Sequence, residues 1–208
     1  PIHYIVPSGS RLDIDKLHEK LQEFASKLQL GTLVMIGKTN VHTSSKKPTR
    51  NDYWDAARTA GFEIDKYLKE DPELDYKKGR PIILSILPDK DSETYAGGKQ
   101  GAHADNHCIQ NIIQRTASAI ADQGNKFYAY NTLLQIYLKS LERGEAPWIL
   151  QKPAGGARGS AYLGYDVSRR REEELGTKKE AAATISMVDS QGRNLLTKLH
   201  TSQSGETL

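Results

Sequence analysis

The run Pro81-Ile-Ile-Leu-Ser-Ile-Leu-Pro88 has apolar side chains at successive positions rather than at alternate ones. A strand that is apolar on both faces must be covered on both faces, which is the condition of a parallel sheet sandwiched between helices. Shorter runs of the same kind occur at Ile2–Val6, Thr32–Ile36, Ile109–Ile113 and Trp148–Leu150. Between them, apolar residues recur at helical spacing. Leu12, Ile14, Leu17, Leu21, Phe24, Ala25 and Leu28 predict a helix over 12–29, stopped by Gly31. Trp54, Ala57, Phe62, Ile64 and Leu68 predict one over 52–69, capped by Asn51 or Asp52. A glycine-weakened helix is expected over 92–104 and a strongly periodic one over 127–141, closed by Gly144. The polar stretch 38–50 reads as a surface loop. Strand and helix in alternation predict an α/β, Rossmann-like domain with a parallel sheet.

The pattern changes near Pro153-Ala-Gly-Gly-Ala-Arg-Gly159, a glycine-rich crossing. Beyond it come strands over 161–168, 182–188 and 195–200, with Asp189-Ser-Gln-Gly192 as a turn. Consecutive strands joined by short turns are the mark of antiparallel pairing. Two domains are therefore expected, 1–155 and 156–208. The chain begins at Pro1 and ends in Ser-Gly-Glu-Thr-Leu208 without a closing element, so it is expected to be a piece of a longer protein.

Bulk composition narrows the function. Lys and Arg number 29 against 26 Asp and Glu, a net charge of +3, so any site for an anionic polymer has to be local. The single cysteine, Cys108, excludes an internal disulfide framework and fits a reducing, cytoplasmic setting; its apolar neighbours mark it as a buried thiol. No apolar run approaches the roughly 20 residues of a membrane-spanning helix. No His sits at metal-ligand spacing from a cysteine or carboxylate. No Gly-x-Gly-x-x-Gly follows a strand, which leaves a small-molecule enzyme with a dinucleotide-type phosphate loop without support.

The chemistry concentrates in five polar residues around the predicted strands: Tyr95, Lys99, Gln110, Asn131 and Lys139. A phenol, two ammonium groups and two amides supply the donors that a compact anion requires. Taken one at a time they read as solvated helix residues and a surface aromatic, and Asn131 suits a helix cap as well as a ligand. Taken together they predict an anion pocket at the C-terminal edge of the first sheet, where helix N-termini point. Lys46, Lys47, Arg50, Lys77, Lys78 and Arg80 read as solvated loop charges. Arg115 and Lys126 flank a polar segment between two pocket-bearing elements.

In this order the motifs resemble those of prokaryotic Argonautes: Ile82–Leu87 before Pro88-Asp-Lys, Tyr95-Ala-Gly-Gly-Lys99, Gln110, Asn131-x-Leu-Leu-x-x-x-x-Lys139, Ala146-Pro-Trp148 and Leu163-Gly-Tyr-Asp-Val-Ser168. The resemblance identifies residues 1–155 with the MID domain and 156–208 with the first strands of the ribonuclease H-like PIWI domain. It implies that Tyr95, Lys99, Gln110, Asn131 and Lys139 anchor the 5′-phosphate of a short guide DNA or RNA, which pairs with complementary target DNA or RNA in host defence. It implies that Tyr95 offers its hydroxyl to the phosphate, its ring face to the first base, or both. The place of segment 115–126 between two pocket-bearing elements suits it to meet that nucleotide. The resemblance also implies that Asp166 is the first carboxylate of a two-metal site for Mg²⁺ or Mn²⁺ and Glu206 a mobile catalytic carboxylate, the other ligands lying downstream in the remaining PIWI segment. The alternative is a guide binder without nuclease activity that acts through a partner protein.

Overall fold

The computed structural model describes residues 1–43, 47–70, 79–141, 161–170, 180–189 and 194–202. The chain divides into two compact units, Pro1–Glu142 and Arg143–Leu208. The boundary expected at 155/156 lies outside the described residues, as does the strand expected at Trp148–Leu150.

The first unit runs β1 (Ile2–Pro7), α1 (Ile14–Lys27), β2 (Met35–Val41), α2 (Arg50–Glu70), β3 (Ile82–Leu87), α3 (Ser92–Ala104), β4 (Cys108–Ile113), α4 (Gln114–Gln123) and α5 (Lys126–Ser140). All its strands are parallel, in the order β2-β1-β3-β4. The expected Rossmann-like parallel sheet is thus present. Every residue of β1 and of β3 is buried, as the doubly apolar run requires. Alternation divides the core in two. Ile2, Tyr4, Val6, Ile82, Leu84 and Ile86 pack with α1, α4 and α5, whereas Ile5, Ile83, Leu87 and Ile109 pack with α2 and α3.

Three local expectations need correction. The run 32–36 does not form the second strand: β2 begins at Met35 and continues through Gly-Lys-Thr-Asn-Val41, inside the expected loop. It is an outer strand paired only with β1, so half its positions face solvent and carry polar residues that hide the strand signal. Helix α2 starts at Arg50, and neither Asn51 nor Asp52 is its cap. Instead Thr49 and Asp52 hold each other reciprocally, Thr49 N–H donating to Asp52 Oδ2 at 2.6 Å and Asp52 N–H to Thr49 Oγ1 at 3.4 Å. Segment 115–126 is not a connecting stretch but largely helix α4, with Ala117, Ala119, Ile120 and Ala121 buried. Alanines carry its apolar face, which is a weak signal in sequence.

The glycines that weaken α3 as an isolated helix are what allow it to pack. A Cβ at Gly97 would lie 2.1 Å from the Arg50 carbonyl oxygen, and one at Gly101 would lie 2.4 Å from that of Trp54. The backbones of α2 and α3 therefore touch, and only glycine fits. Asp91 caps α3 by accepting from the N–H groups of Glu93 and Thr94.

The second unit is described only as an antiparallel sheet, β5 (Ala161–Arg170), β6 (Glu180–Asp189) and β7 (Asn194–Ser202), in the order β5-β6-β7. Among the described residues, no helix is long and apolar enough to cross a membrane.

Two predictions follow from this packing. Gly97→Ala or Gly101→Ala should destabilise the fold by about 2–3 kcal/mol, the scale of overpacking against an unyielding backbone. Urea unfolding of each variant measures it, and a loss near zero would mean that α3 can drift off α2 without penalty. The second concerns acid. Burial pushes the His3 and His18 imidazoles below their ordinary 6.5. The unfolded chain then takes up protons where the folded chain does not, so stability is full above about pH 6.5 and falls as pH drops through the lower folded values. Glu23, held down by Lys20 and Lys27, and Asp91, held down by backbone N–H groups, act only in a more acidic range. Urea midpoints between about pH 7.5 and pH 5 should fall, and less steeply in a His3→Gln/His18→Gln variant. An equal slope in both proteins would remove the two histidines from the account.

Candidate nucleic-acid interface

Among the described residues, β4 is the outermost strand on its side of the sheet, and its far edge has no backbone partner. Helix α5 reaches that edge with its last turn. Lys139 Nζ donates to the Ile109 carbonyl oxygen at 2.7 Å and to Gln110 Oε1 at 2.7 Å. The Gln110 amide nitrogen in turn donates to the Asn111 carbonyl at 2.8 Å, which fixes the orientation of the side chain. Helix α3 packs on the opposite sheet face, and its Lys99 comes close enough to help lower the ammonium pKa of Lys139, after burial, the larger cause. Lys99 Nζ also lies 4.7 Å from the centroid of the Tyr95 ring, a cation–π contact.

Four of the five predicted residues thus form one connected set. Lys99 lies over the Tyr95 ring, its charge is felt at Lys139, and Lys139 is bonded to Gln110. Gln110 is paired with Leu84 halfway along the strands, and Tyr95 lies beside Leu87 and Ile113 at the C-terminal ends of β3 and β4. The α3 N-terminus does not serve the set: two of its free N–H groups are taken by Asp91. Asn131 stands apart. It is exposed in the interior of α5 and is not a cap, that role falling to Asn125, whose side chain accepts from Tyr128 N–H.

The electrostatics of the set are unusual. Among the described residues, no carboxylate lies within ion-pair distance of Lys99 or Lys139. Both ammonium groups are half-buried, Lys99 over the Tyr95 ring and Lys139 against a backbone carbonyl and an amide oxygen, and the charge of one is felt at the other. An anion set between them would convert repulsion into attraction and restore the depressed pKa of Lys139.

A hollow of about 360 Å³ adjoins this set, lined by Leu87, Lys90, Asp91, Tyr95, Asn111 and Ile113 among others. Tyr95 therefore serves both, and it is 42% exposed. Both polar atoms of the Asn111 amide are buried without a hydrogen-bond partner. Asn111 is the functional candidate that the sequence reading passed over, although it directly follows Gln110. No residue of 115–126 is among those that line the hollow, whereas Lys90 and Asp91 of the loop between β3 and α3 are.

Cys108, expected to be buried, is a half-buried free thiol. Asp166 lies in β5, its backbone paired with Thr184, and Glu206 lies outside the described residues. Among the described residues, no group of three His, Cys, Asp or Glu side chains is placed to hold a metal ion.

No protein-family model matches the chain, and no curated protein sequence does. Solved structures do. The chain is similar to the structure of Aquifex aeolicus Argonaute at 19% identity and TM-score 0.50, over 99% of this chain and 27% of that one. It is similar to Clostridium butyricum Argonaute bound to a guide DNA and a 19-mer target DNA at 17% identity and TM-score 0.54, over 90% of this chain and 26% of that one. The chain has an Argonaute fold. It spans about a quarter of the length of these Argonaute structures.

Proposed function

We propose that the first unit anchors the phosphorylated 5′ end of a short nucleic-acid guide, with Lys99 and Lys139 as the charged donors, Gln110 as the amide and Tyr95 as the base platform. The observation that carries this is a pair of lysines near enough for the charge of Lys99 to be felt at Lys139, with no carboxylate among the described residues within ion-pair distance of either. A terminal phosphate monoester carries more charge than the diester linkages that follow it. It suits two ammonium groups better than an internal linkage does, and charge-assisted bonds of this kind are the strong ones. Tyr95 lies beside Lys99 and also lines the adjoining hollow, so a base stacked on its ring would be covalently continuous with a phosphate between the lysines. The Asn111 amide, unpartnered in the wall of that hollow, would meet the polar edge of the base.

The structural likeness to an Argonaute holding a guide DNA and a target DNA is consistent with this role and is a property of that protein. In the parent of this chain, the bound guide would select complementary DNA or RNA by base pairing while the protein holds the backbone. Cleavage of that target is a task for Asp166 together with carboxylates outside the described residues.

The test is a comparison of guides. Lys99→Ala and Lys139→Ala should each weaken binding of a 5′-phosphorylated guide by about 1.5–3 kcal/mol, the scale of a hydrogen bond to a charged group. The same variants should bind a 5′-hydroxyl guide about as well as the unaltered protein does, as measured by fluorescence anisotropy at fixed salt. Asn131→Ala, outside the connected set, should leave both affinities unchanged. Equal losses for the two guides would reduce the lysines to general backbone contacts.

A further inference from the structure

Gln110 stands in the middle of β4, opposite Leu84 of β3, on the sheet face that packs with α5. Its side chain is bonded at both ends. Nε2 donates to the Asn111 carbonyl oxygen at 2.8 Å, and Oε1 accepts from Lys139 Nζ at 2.7 Å. The first bond decides the second. With the amide nitrogen turned to a backbone carbonyl, the oxygen is the end left for the ammonium. A flipped amide would set its hydrogens against those of Lys139 and lose both bonds. The backbone of β4 thus orients Gln110, and Gln110 orients Lys139.

The kind of acceptor matters as much as its place. A carboxylate at the same point would hold the ammonium more strongly and would cancel its charge. An amide oxygen is neutral, so it fixes the ammonium and leaves the charge uncompensated. The other acceptor, the Ile109 carbonyl oxygen, is neutral too, but it is backbone and would be there whatever residue stood at that position. Gln110 is therefore the side chain on which the hold depends. Lys139 comes to this point from the last turn of α5 on a long, flexible stem, and ordering such a stem costs side-chain entropy. A lysine already held loses little of it when a ligand arrives.

We propose that Gln110 is a positioning residue of the anion site: it acts mainly through Lys139, holding the ammonium against β4 with its charge uncancelled, and its own contact with a 5′-phosphate is secondary. The inference rests on the guide-anchoring reading of the two lysines and adds the means by which one of them is held.

The test is a double-mutant cycle on the whole chain, read by fluorescence anisotropy with 5′-phosphorylated and 5′-hydroxyl guides at fixed salt. Gln110→Met keeps the length of the side chain and removes the acceptor. It should weaken the phosphorylated guide about fivefold or more when residue 139 is Lys, and less than about twofold in the Lys139→Ala background. The 5′-hydroxyl guide should change less than about twofold in either background. A second readout needs no guide. The Lys139 ammonium signal in a ¹H–¹⁵N spectrum at low temperature should be sharp in the unaltered protein and lost to exchange with water in Gln110→Met. Gln110→Glu places a carboxylate against the ammonium, so Lys139 should titrate at higher pH than in the unaltered protein, in the same field of Lys99 and Cys108, and the preference for the phosphorylated guide should fall. Urea midpoints within error of the unaltered protein show that both variants keep the fold. Equal losses from Gln110→Met with Lys or Ala at position 139 would make Gln110 a direct ligand and overturn the inference, as would an ammonium signal that does not change. If Lys139→Ala by itself weakened both guides equally, the guide-anchoring reading would fail instead, and the ammonium spectra would still decide whether Gln110 holds Lys139.

Discussion

The place of helix α3 depends on a contact between backbones. Gly97 lies against the Arg50 carbonyl and Gly101 against that of Trp54, so α2 and α3 approach more closely than side chains would permit. Tyr95 and Lys99 project from the same two turns of α3, on the side away from that contact. Their position beside β4 is therefore inherited from glycines that touch no ligand. Neighbouring contacts add to this seat: Arg50 donates to Gln100, and Arg58 pairs with Asp105 just beyond the end of α3. These are surface interactions worth little singly, and the glycine seat is what they decorate.

The lysine pair shows why such rigidity matters. Burial lowers the pKa of Lys139, and the charge of Lys99 lowers it further, so the unliganded pair carries a standing electrostatic cost. A mobile side chain would relieve that cost by swinging into water. Lys139 is prevented from doing so by two hydrogen bonds to β4, and Lys99 is steadied by the Tyr95 ring. For the anion proposed to bind there, both lysines would already be held in place, so little side-chain freedom would be lost on binding.

Much of this was legible in the sequence, for physical reasons that differ by element. β1, β3 and β4 lie inside the sheet or against two helices, and their apolar runs announce them. The four connected residues were legible because each is a donor placed beside a buried strand. β2 was misplaced because an outer strand with glycine, lysine, threonine and asparagine has no period-two signature. α4 was hidden because alanine buries well yet hardly marks a face. Asn131 was chosen for its type and lies on the solvent side of α5. How the set is assembled was not legible, because α3 and α5 reach the strand from opposite faces, a fact of tertiary packing that spacing along the chain does not encode. Asn111 was passed over because its isolation becomes visible only once every neighbour has been placed.

The ammonium of Lys139 has a further consequence through the atom it grips. Among the described residues, Ile109 belongs to a strand with no neighbour on its outer side, and such an edge invites another strand to extend the sheet. By occupying the carbonyl that an incoming strand would need, and by placing a positive charge there, Lys139 makes that edge a poor template for self-association. The bond is to the backbone rather than to any ligand. The protection against sheet-to-sheet aggregation is therefore in force when the protein is empty, which is when an open edge is most dangerous.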